Sequence, residues 1–228
     1  MQRQHLHDIM QWDIRSWQKA LVFWENQTNW ADVKQALELG GREGGLSLWL
    51  AEKGVYVVCS DLENAQTVAE PLHKKYKIEQ FVSYQDIDAT NILYENHFDV
   101  IVFKSIVGGV GRNNNIEKQQ LMFEQIHKAL KPTGSLLFAE NLVASPLHQF
   151  MRRRFSKAYS NAWRYITEEE INVFLSPFSS YTLQTTGFLA TFGRSETQRN
   201  FLAHIDELLF NWLLPRTWKY IVYGVAKK

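Results

Sequence analysis

The chain has 228 residues, 45% hydrophobic and 21% charged, and a formal net charge of +1. That balance suits one large α/β domain with a real core and excludes a disordered or fibrous chain. Near neutrality leaves no global electrostatic case for nucleic acid, so any basic site must be local.

The N-terminal stretch MQRQHLHDIMQWD is too polar for a secretory signal. His5 and His7 fall on what reads as a frayed terminus. Residues 8–29 carry Ile9, Met10, Trp12, Ile14, Trp17, Leu21, Phe23 and Trp24, spaced as one or two amphipathic helices.

An apolar strand, residues 36–39, then meets four glycines, Gly40, Gly41, Gly44 and Gly45, which break it into a tight turn. Leu46, Leu48, Trp49, Leu50 and Ala51 follow at helical spacing, closed by Gly54 in the place of a left-handed cap. A second strand, residues 55–59, ends on Ser60 and Asp61; its Cys59, the only cysteine, reads as core packing and excludes an internal disulfide. Glycines let a backbone approach a ligand closely, and an acid at the end of the next strand can accept both hydroxyls of a ribose. Glu38 would repel a pyrophosphate on the helix N-terminus and suits a cationic ligand instead.

Glu38-Leu39-Gly40-Gly41-Arg42-Glu43-Gly44-Gly45 resembles the first motif of the class I S-adenosylmethionine-dependent methyltransferases, an acid followed by three spaced glycines. Arg42 stands at the middle glycine position. The resemblance implies a cofactor held by Glu38, Gly40, Gly41 and Gly44, with Asp61 and its neighbour Leu62 at the ribose. It also implies an N-terminal helical cap, with Trp12 and Trp17 either lining the pocket or gluing the helices to the sheet.

Residues 62–76 read as a helix with Lys74 and Lys75 at its C-terminus. A third strand, about residues 78–84, runs into Gln85-Asp86-Ile87-Asp88, where the resemblance places the acid for the adenine amino group and an apolar neighbour against the ring. Asp86 with Ile87 fits, and Asp88 is the alternative. Residues 98–103, Phe-Asp-Val-Ile-Val-Phe, form the clearest buried strand. It ends in Lys104 and Ser105; the resemblance puts Lys104 at the methionine end of the cofactor and Ser105 in the loop that touches the acceptor. A helix over residues 116–130 leads through Lys131-Pro132-Thr133-Gly134 into a fifth strand, similar to the family's turn at this place. The Asn-Pro-Pro-Tyr motif of amino-methylating DNA enzymes is absent.

Residues 146–158 read as a helix carrying Arg152, Arg153 and Arg154, a solvated face or a contact for an anionic substrate or membrane surface. Trp163-Arg164-Tyr165 sets two aromatics around a cation, and Thr167 to Glu170 form a capping box. Residues 181–192 read as a sixth strand and residues 195–214 as a helix, whose stripe Phe201, Leu202, Ile205, Leu208, Leu209 and Trp212 reads as core. Residues 218–226 are a terminal strand, antiparallel by resemblance. No run approaches the about 20 apolar residues of a membrane helix, and a cytoplasmic protein is the default.

The expected architecture is a doubly wound, Rossmann-like, seven-stranded and mostly parallel sheet. Residues 1–34 would form the cap, 35–141 the cofactor-binding core and 142–228 the substrate-side half of one domain. Glu140 and His148 are the best placed candidate bases. Glu140-Asn141 matches the Asp-Asn pair of metal-dependent relatives, but Lys104 or Ser105 stands where a further ligand belongs, so no metal is expected. Arg112, Arg194 and Trp163 are candidate acceptor contacts. The function implied is methyl transfer from S-adenosylmethionine, leaving S-adenosylhomocysteine, to an oxygen or nitrogen of a small molecule, such as a sugar or another biosynthetic metabolite. Protein or RNA methylation and a non-catalytic cofactor-binding regulator or scaffold are the alternatives. A nicotinamide enzyme is disfavoured by Glu38 and by the missing Gly-x-Gly-x-x-Gly.

Overall fold

The computed structural model describes residues 3–155 and 162–228. Seven strands form one sheet: β1 (Gln35–Leu39), β2 (Tyr56–Asp61), β3 (Val82–Asp86), β4 (Phe98–Lys104), β5 (Leu130–Asn141), β6 (Ser180–Thr186) and β7 (Ile221–Lys227). Their order is β3-β2-β1-β4-β5-β7-β6. The first five run parallel, and β7 lies antiparallel between β5 and β6.

Strand alternation divides the core between the two faces. Ala36, Val57, Val100, Val102 and Leu137 face one layer. Leu37, Val58, Ile101, Phe103 and Leu136 face the other. The first layer holds α1 (Arg3–Met10), α2 (Ile14–Gln27), α3 (Gly45–Ala51) and α4 (Ala65–Tyr76). Beyond β4, α5 (Val107–Val110) is a single turn, and α6 (Ile116–Ala129) packs on the second face. The chain then adds α7 (Pro146–Phe155), α8 (Glu168–Phe174) and α9 (Glu196–Ile205). Among the described residues no helix is long and apolar enough to cross a membrane.

The N-terminal helices are more deeply built in than a cap requires. Trp17 and Trp24 are fully buried, and Trp24 donates from Nε1 to the carbonyl of Gly224 at 3.0 Å. The N-terminus of α2 is capped from across the chain, since Asp13 N and Ile14 N donate to the Glu196 carboxylate. So α2 is a layer helix of the sheet, and the end of α1 with the joint at residues 11–13 reaches the edge where the strands end. His5 is not frayed: it lies in α1, 2.8 Å from Glu52.

Three segments depart from the expectations drawn from sequence. The third strand starts later, at Val82, after a 3-10 turn over Glu79–Phe81, so Asp86 closes the strand rather than following it. The Lys131 to Gly134 turn is a bulge within β5, whose pairing with β4 shifts between Phe98 and Val100. The sixth strand stops at Thr186, because Gly187 turns at φ +80° against the Tyr220 ring and Asp206 ties down the next three residues.

The largest correction concerns the stripe expected to be core. The helix widens into a π turn at Asp206–Phe210. That turn keeps Asp206 inside, where its carboxylate accepts the amides of Phe188, Leu189 and Ala190, and leaves Leu208, Leu209 and Trp212 outside; they and Phe201, one turn before it, are all more than half exposed. A buried polar anchor outweighed the apolar periodicity. Of the helix expected over residues 146–158, Pro146–Phe155 is helical and residues 156–158 fall outside the described residues.

Candidate cofactor and acceptor site

Strand register brings the residues singled out in the sequence to one edge. Glu38 pairs with Cys59, Asp61 with Asp86, and Lys104 with Ala139, so the C-terminal ends of β1 to β5 align. The edge is centred between β1 and β4, where the strand order reverses and parallel sheets open a crevice.

The glycine turn has the conformation its sequence asks for. Gly40 and Gly44 adopt φ +63° and +75°, and a Cβ at Gly44 would come 2.5 Å from His73 Nε2. Arg42, at the middle glycine position, takes φ +50°, accepting left-handed strain of about 1 kcal/mol. Its amide donates to Asp61 Oδ2 at 2.9 Å, and Leu62 N donates to Oδ1 at 2.7 Å. Sequence reasoning missed His73, which is fully buried and donates from Nε2 to the Gly44 carbonyl, so Nδ1 accepts from the Tyr84 hydroxyl.

The acids serve architecture first. Glu38 accepts from Leu46 N, Ser47 N and the Ser47 hydroxyl at the N-terminus of α3, and burial pushes its carboxyl up to about 7. A carboxylate turned into α3 does not itself argue for a cationic ligand. Asp86 accepts from Ala65 N at the start of α4, with Ile87 half-buried beside it. Asp88 closes its own turn with Thr90.

Trp12 and Lys104 close the cavity at the glycine turn. Lys104 is buried, donates to the Met10 carbonyl at 2.8 Å, and lies 3.1 Å from the centre of the Trp12 ring. Burial and the Arg42 charge hold its ammonium well below the usual lysine range. Arg42 flanks the same ring at 5.3 Å. Trp12 sits between two residues of positive φ, Gln11 at 67° and Asp13 at 48°. The cavity left among Trp12, Gly40, Gly41, Arg42 and Lys104 measures about 10 Å³.

The two candidate bases are both engaged. Glu140 is fully buried, accepts from Val107 N and Asn141 N at 2.7 Å each, and is pushed up to about 7 by burial. His148 donates from Nε2 to the Phe188 carbonyl, accepts at Nδ1 from the Ser145 hydroxyl at 2.7 Å, and stacks on Phe192. Burial lowers it to about 4. Ser105, at φ +58°, accepts from the Asn141 amide at 2.7 Å and joins the ends of β4 and β5. Among the described residues no group of three His, Cys, Asp or Glu side chains could hold a metal ion.

The acceptor candidates separate. Trp163 covers Gly108, where a Cβ would lie 1.8 Å from the indole nitrogen, and lines a cavity of about 550 Å³. Arg194 and His148 line an adjoining cavity of about 520 Å³. Arg112 is exposed and lines neither, although Asn113 and Asn114 line the first. The expected cation between Trp163 and Tyr165 is engaged elsewhere, as Arg164 pairs with Glu170, and it is Arg152 that stacks on Tyr165 at 3.8 Å.

A neutral buried His148 makes stability depend on pH. The native imidazole titrates near 4 instead of 6.5. The unfolded chain therefore binds the extra proton between those values, and stability is lost as pH falls through that window. We expect urea titrations between about pH 7.5 and about pH 5 to cost the wild type about 2 kcal/mol more than His148→Gln. Equal losses would place the titration elsewhere.

Residues 37–138 match the family described as a methyltransferase domain. No curated protein matches the sequence. Among solved structures, phosphoethanolamine N-methyltransferase 2 of Haemonchus contortus, with phosphomonomethylethanolamine and S-adenosylhomocysteine, superposes with a TM-score of 0.64 at 17% identity over 93% of this chain and 52% of that one. The chain thus spans about half the length of that enzyme. MccD protein gives 0.64 at 16% identity over 92% and 96% of the two chains. Burkholderia thailandensis 1,6-didemethyltoxoflavin-N1-methyltransferase, with its acceptor and S-adenosylhomocysteine, gives 0.57 at 14% over 92% and 76%. The matched segment carries the glycine turn, Asp61, Asp86 and Lys104, and the whole sheet has the fold of the class I S-adenosylmethionine-dependent methyltransferases.

Proposed function

We propose that this methyltransferase acts on an oxygen or nitrogen of a small molecule, a biosynthetic metabolite such as a sugar among the candidates. The observation that carries this reading is the pair of adjoining cavities, about 550 and 520 Å³, beyond β4 and β5. Each has the size of a small-molecule site. The chain divides accordingly into an N-terminal helical segment over residues 1–34, which packs on the sheet and covers the crevice only near the joint at residues 11–13, a cofactor-binding core over 35–141 and a substrate-side half over 142–228.

The residues at the crevice fit S-adenosylmethionine. Gly40 and Gly41 bring the backbone close, Asp61 with Leu62 takes the ribose, Asp86 and Ile87 take the adenine, and Lys104, Glu38 and Trp12 border the methionine end. Bound there, the cofactor supplies a methyl group on a sulfonium: the sulfur–carbon bond breaks as the acceptor–carbon bond forms, and the acceptor gives up a proton. The chain's share is to align the acceptor and exclude water. Ser105 and Asn141, hydrogen-bonded at the ends of β4 and β5, are the polar pair placed to orient it. Glu140 and His148 support that wall instead of taking the proton, because their acceptor atoms already hold amide and hydroxyl donors. This suits a nucleophile that is already a free amine or an acidic hydroxyl.

The cavity left at the methionine end, about 10 Å³, is too small for that part of the cofactor, so binding requires the joint at residues 11–13 to swing Trp12 aside. In Trp12→Ala we expect cofactor association, followed by stopped-flow fluorescence of the remaining tryptophans, to be about tenfold faster, the factor that about 1.4 kcal/mol of barrier represents. An unchanged rate would remove Trp12 as the gate. S-adenosylhomocysteine should raise the melting temperature and NAD should not, since a ligand of the native state stabilises it by mass action. Asp61→Ala should fold normally and bind S-adenosylhomocysteine about tenfold more weakly in calorimetry, the cost of about one charge-assisted hydrogen bond. Stabilisation by NAD alone would refute the assignment.

A further inference from the structure

The two cavities beyond β4 and β5 share one wall, made by Arg152 and Tyr165. Arg152 donates from Nη1 to the carbonyls of Leu142 and Val143 at 2.7 and 2.9 Å, which fixes the guanidinium flat on the Tyr165 ring. Arg153 lines the first cavity and Arg194 the second. Among the described residues no carboxylate lines either one. Among the described residues, the arginines paired with carboxylates are Arg15, Arg164, Arg199 and Arg216, so Arg152, Arg153 and Arg194 have no such partner. The segment outside the described residues, 156–161, is Ser-Lys-Ala-Tyr-Ser-Asn and contains no acid either.

A chain of net charge +1 has thus concentrated uncompensated cations in one concave place. Arg152 is held partly out of water with no counter-charge, which is costly and which an anion in the cavity would relieve, while Arg153 and Arg194 are exposed and free to close on that anion from the rim. The remaining lining mixes apolar or aromatic surface, Met151, Tyr165 and Phe192 in the second cavity and Val143 and Trp163 in the first, with neutral polar groups such as Asn141 and Thr191 in the second and Asn113 and Gln149 in the first. Arginine presents two parallel donors to a carboxylate or phosphate, a match that lysine cannot make.

We propose that the methyl acceptor is an anionic small molecule whose carboxylate or phosphate is held by Arg152 and Arg194 in the second cavity, with a flat apolar body against Tyr165 and Phe192. This rests on the small-molecule methyltransferase reading above. It places the nucleophile toward Asn141, which lines the same cavity and is bonded to Ser105 at the cofactor edge. Arg152 is turned inward onto Tyr165, so it serves this cavity and not a membrane surface.

The test uses full-length protein saturated with S-adenosylhomocysteine and titrated calorimetrically with benzoate, phenyl phosphate and neutral benzamide. Benzoate or phenyl phosphate should bind at least about tenfold more tightly than benzamide, the tighter of the two telling carboxylate from phosphate. Arg194→Met should lose about tenfold in affinity for the anion and keep its affinity for S-adenosylhomocysteine. Arg194 is the clean variant because its described hydrogen bond runs through its backbone amide to Gln198, whereas Arg152→Met also removes two backbone contacts. Benzamide binding as tightly as both anions, no binding of either anion, or an unchanged Arg194→Met would overturn the proposal. If S-adenosylhomocysteine itself fails to bind, the function reading falls, and the same titration on the unliganded protein still decides whether the cavity selects anions.

Discussion

Carboxylates at the C-terminal ends of parallel strands hold the N-termini of the helices around the crevice, and the site is built on that constraint. Glu38 at β1 receives α3, Asp86 at β3 receives α4, and Glu140 at β5 receives α5. Each helix N-terminus carries unsatisfied amides and the positive end of its dipole, so a fixed acid satisfies both at once. Asp206 and Glu196 repeat the device away from the crevice, on the loop after β6 and on α2. Two of the three crevice acids, Glu38 and Glu140, are fully buried and raised to about 7, which shows how far solvent is excluded from the strand ends. Removing one would leave amides unpaired in a dry layer, at a cost of about 1–3 kcal/mol each.

This double use of acids explains what the sequence made legible and what it hid. Strand, turn and helix were readable from periodicity and glycine placement, and the register followed: once β1, β2, β4 and β5 are parallel neighbours, Glu38, Asp61, Lys104 and Glu140 must share an edge. Asp61 could be located from its strand alone. The direction in which Glu38 points could not, because a carboxylate aimed into α3 and one aimed at a cation occupy the same position in the chain. His148 shows the same limit. A histidine near the substrate side reads as a base, and only its bonds to Ser145 and Phe188 reveal a neutral imidazole serving as a strut.

The errors farther along have a similar origin in polar partners distant in sequence. The apolar stripe of α9 was a sound helical pattern, yet Asp206 anchors the loop after β6 and forces the helix to widen. Arg152 was one of three consecutive arginines with nothing local to distinguish it. Its stacking on Tyr165 and its bonds to Leu142 and Val143 depend on the chain after β5 folding back, a contact no local window contains.

The same logic bears on catalysis. With Glu140 and His148 occupied in structure, the buried ionisable group nearest the crevice with no acid partner is Lys104, packed on Trp12 and bonded only to the Met10 carbonyl. The aromatic face favours a cation there, but burial and the nearby Arg42 charge work against it and push Lys104 toward its neutral form. The aromatic joint therefore seals both Lys104 and the glycine turn from solvent, and the three form one buried unit at the strand ends.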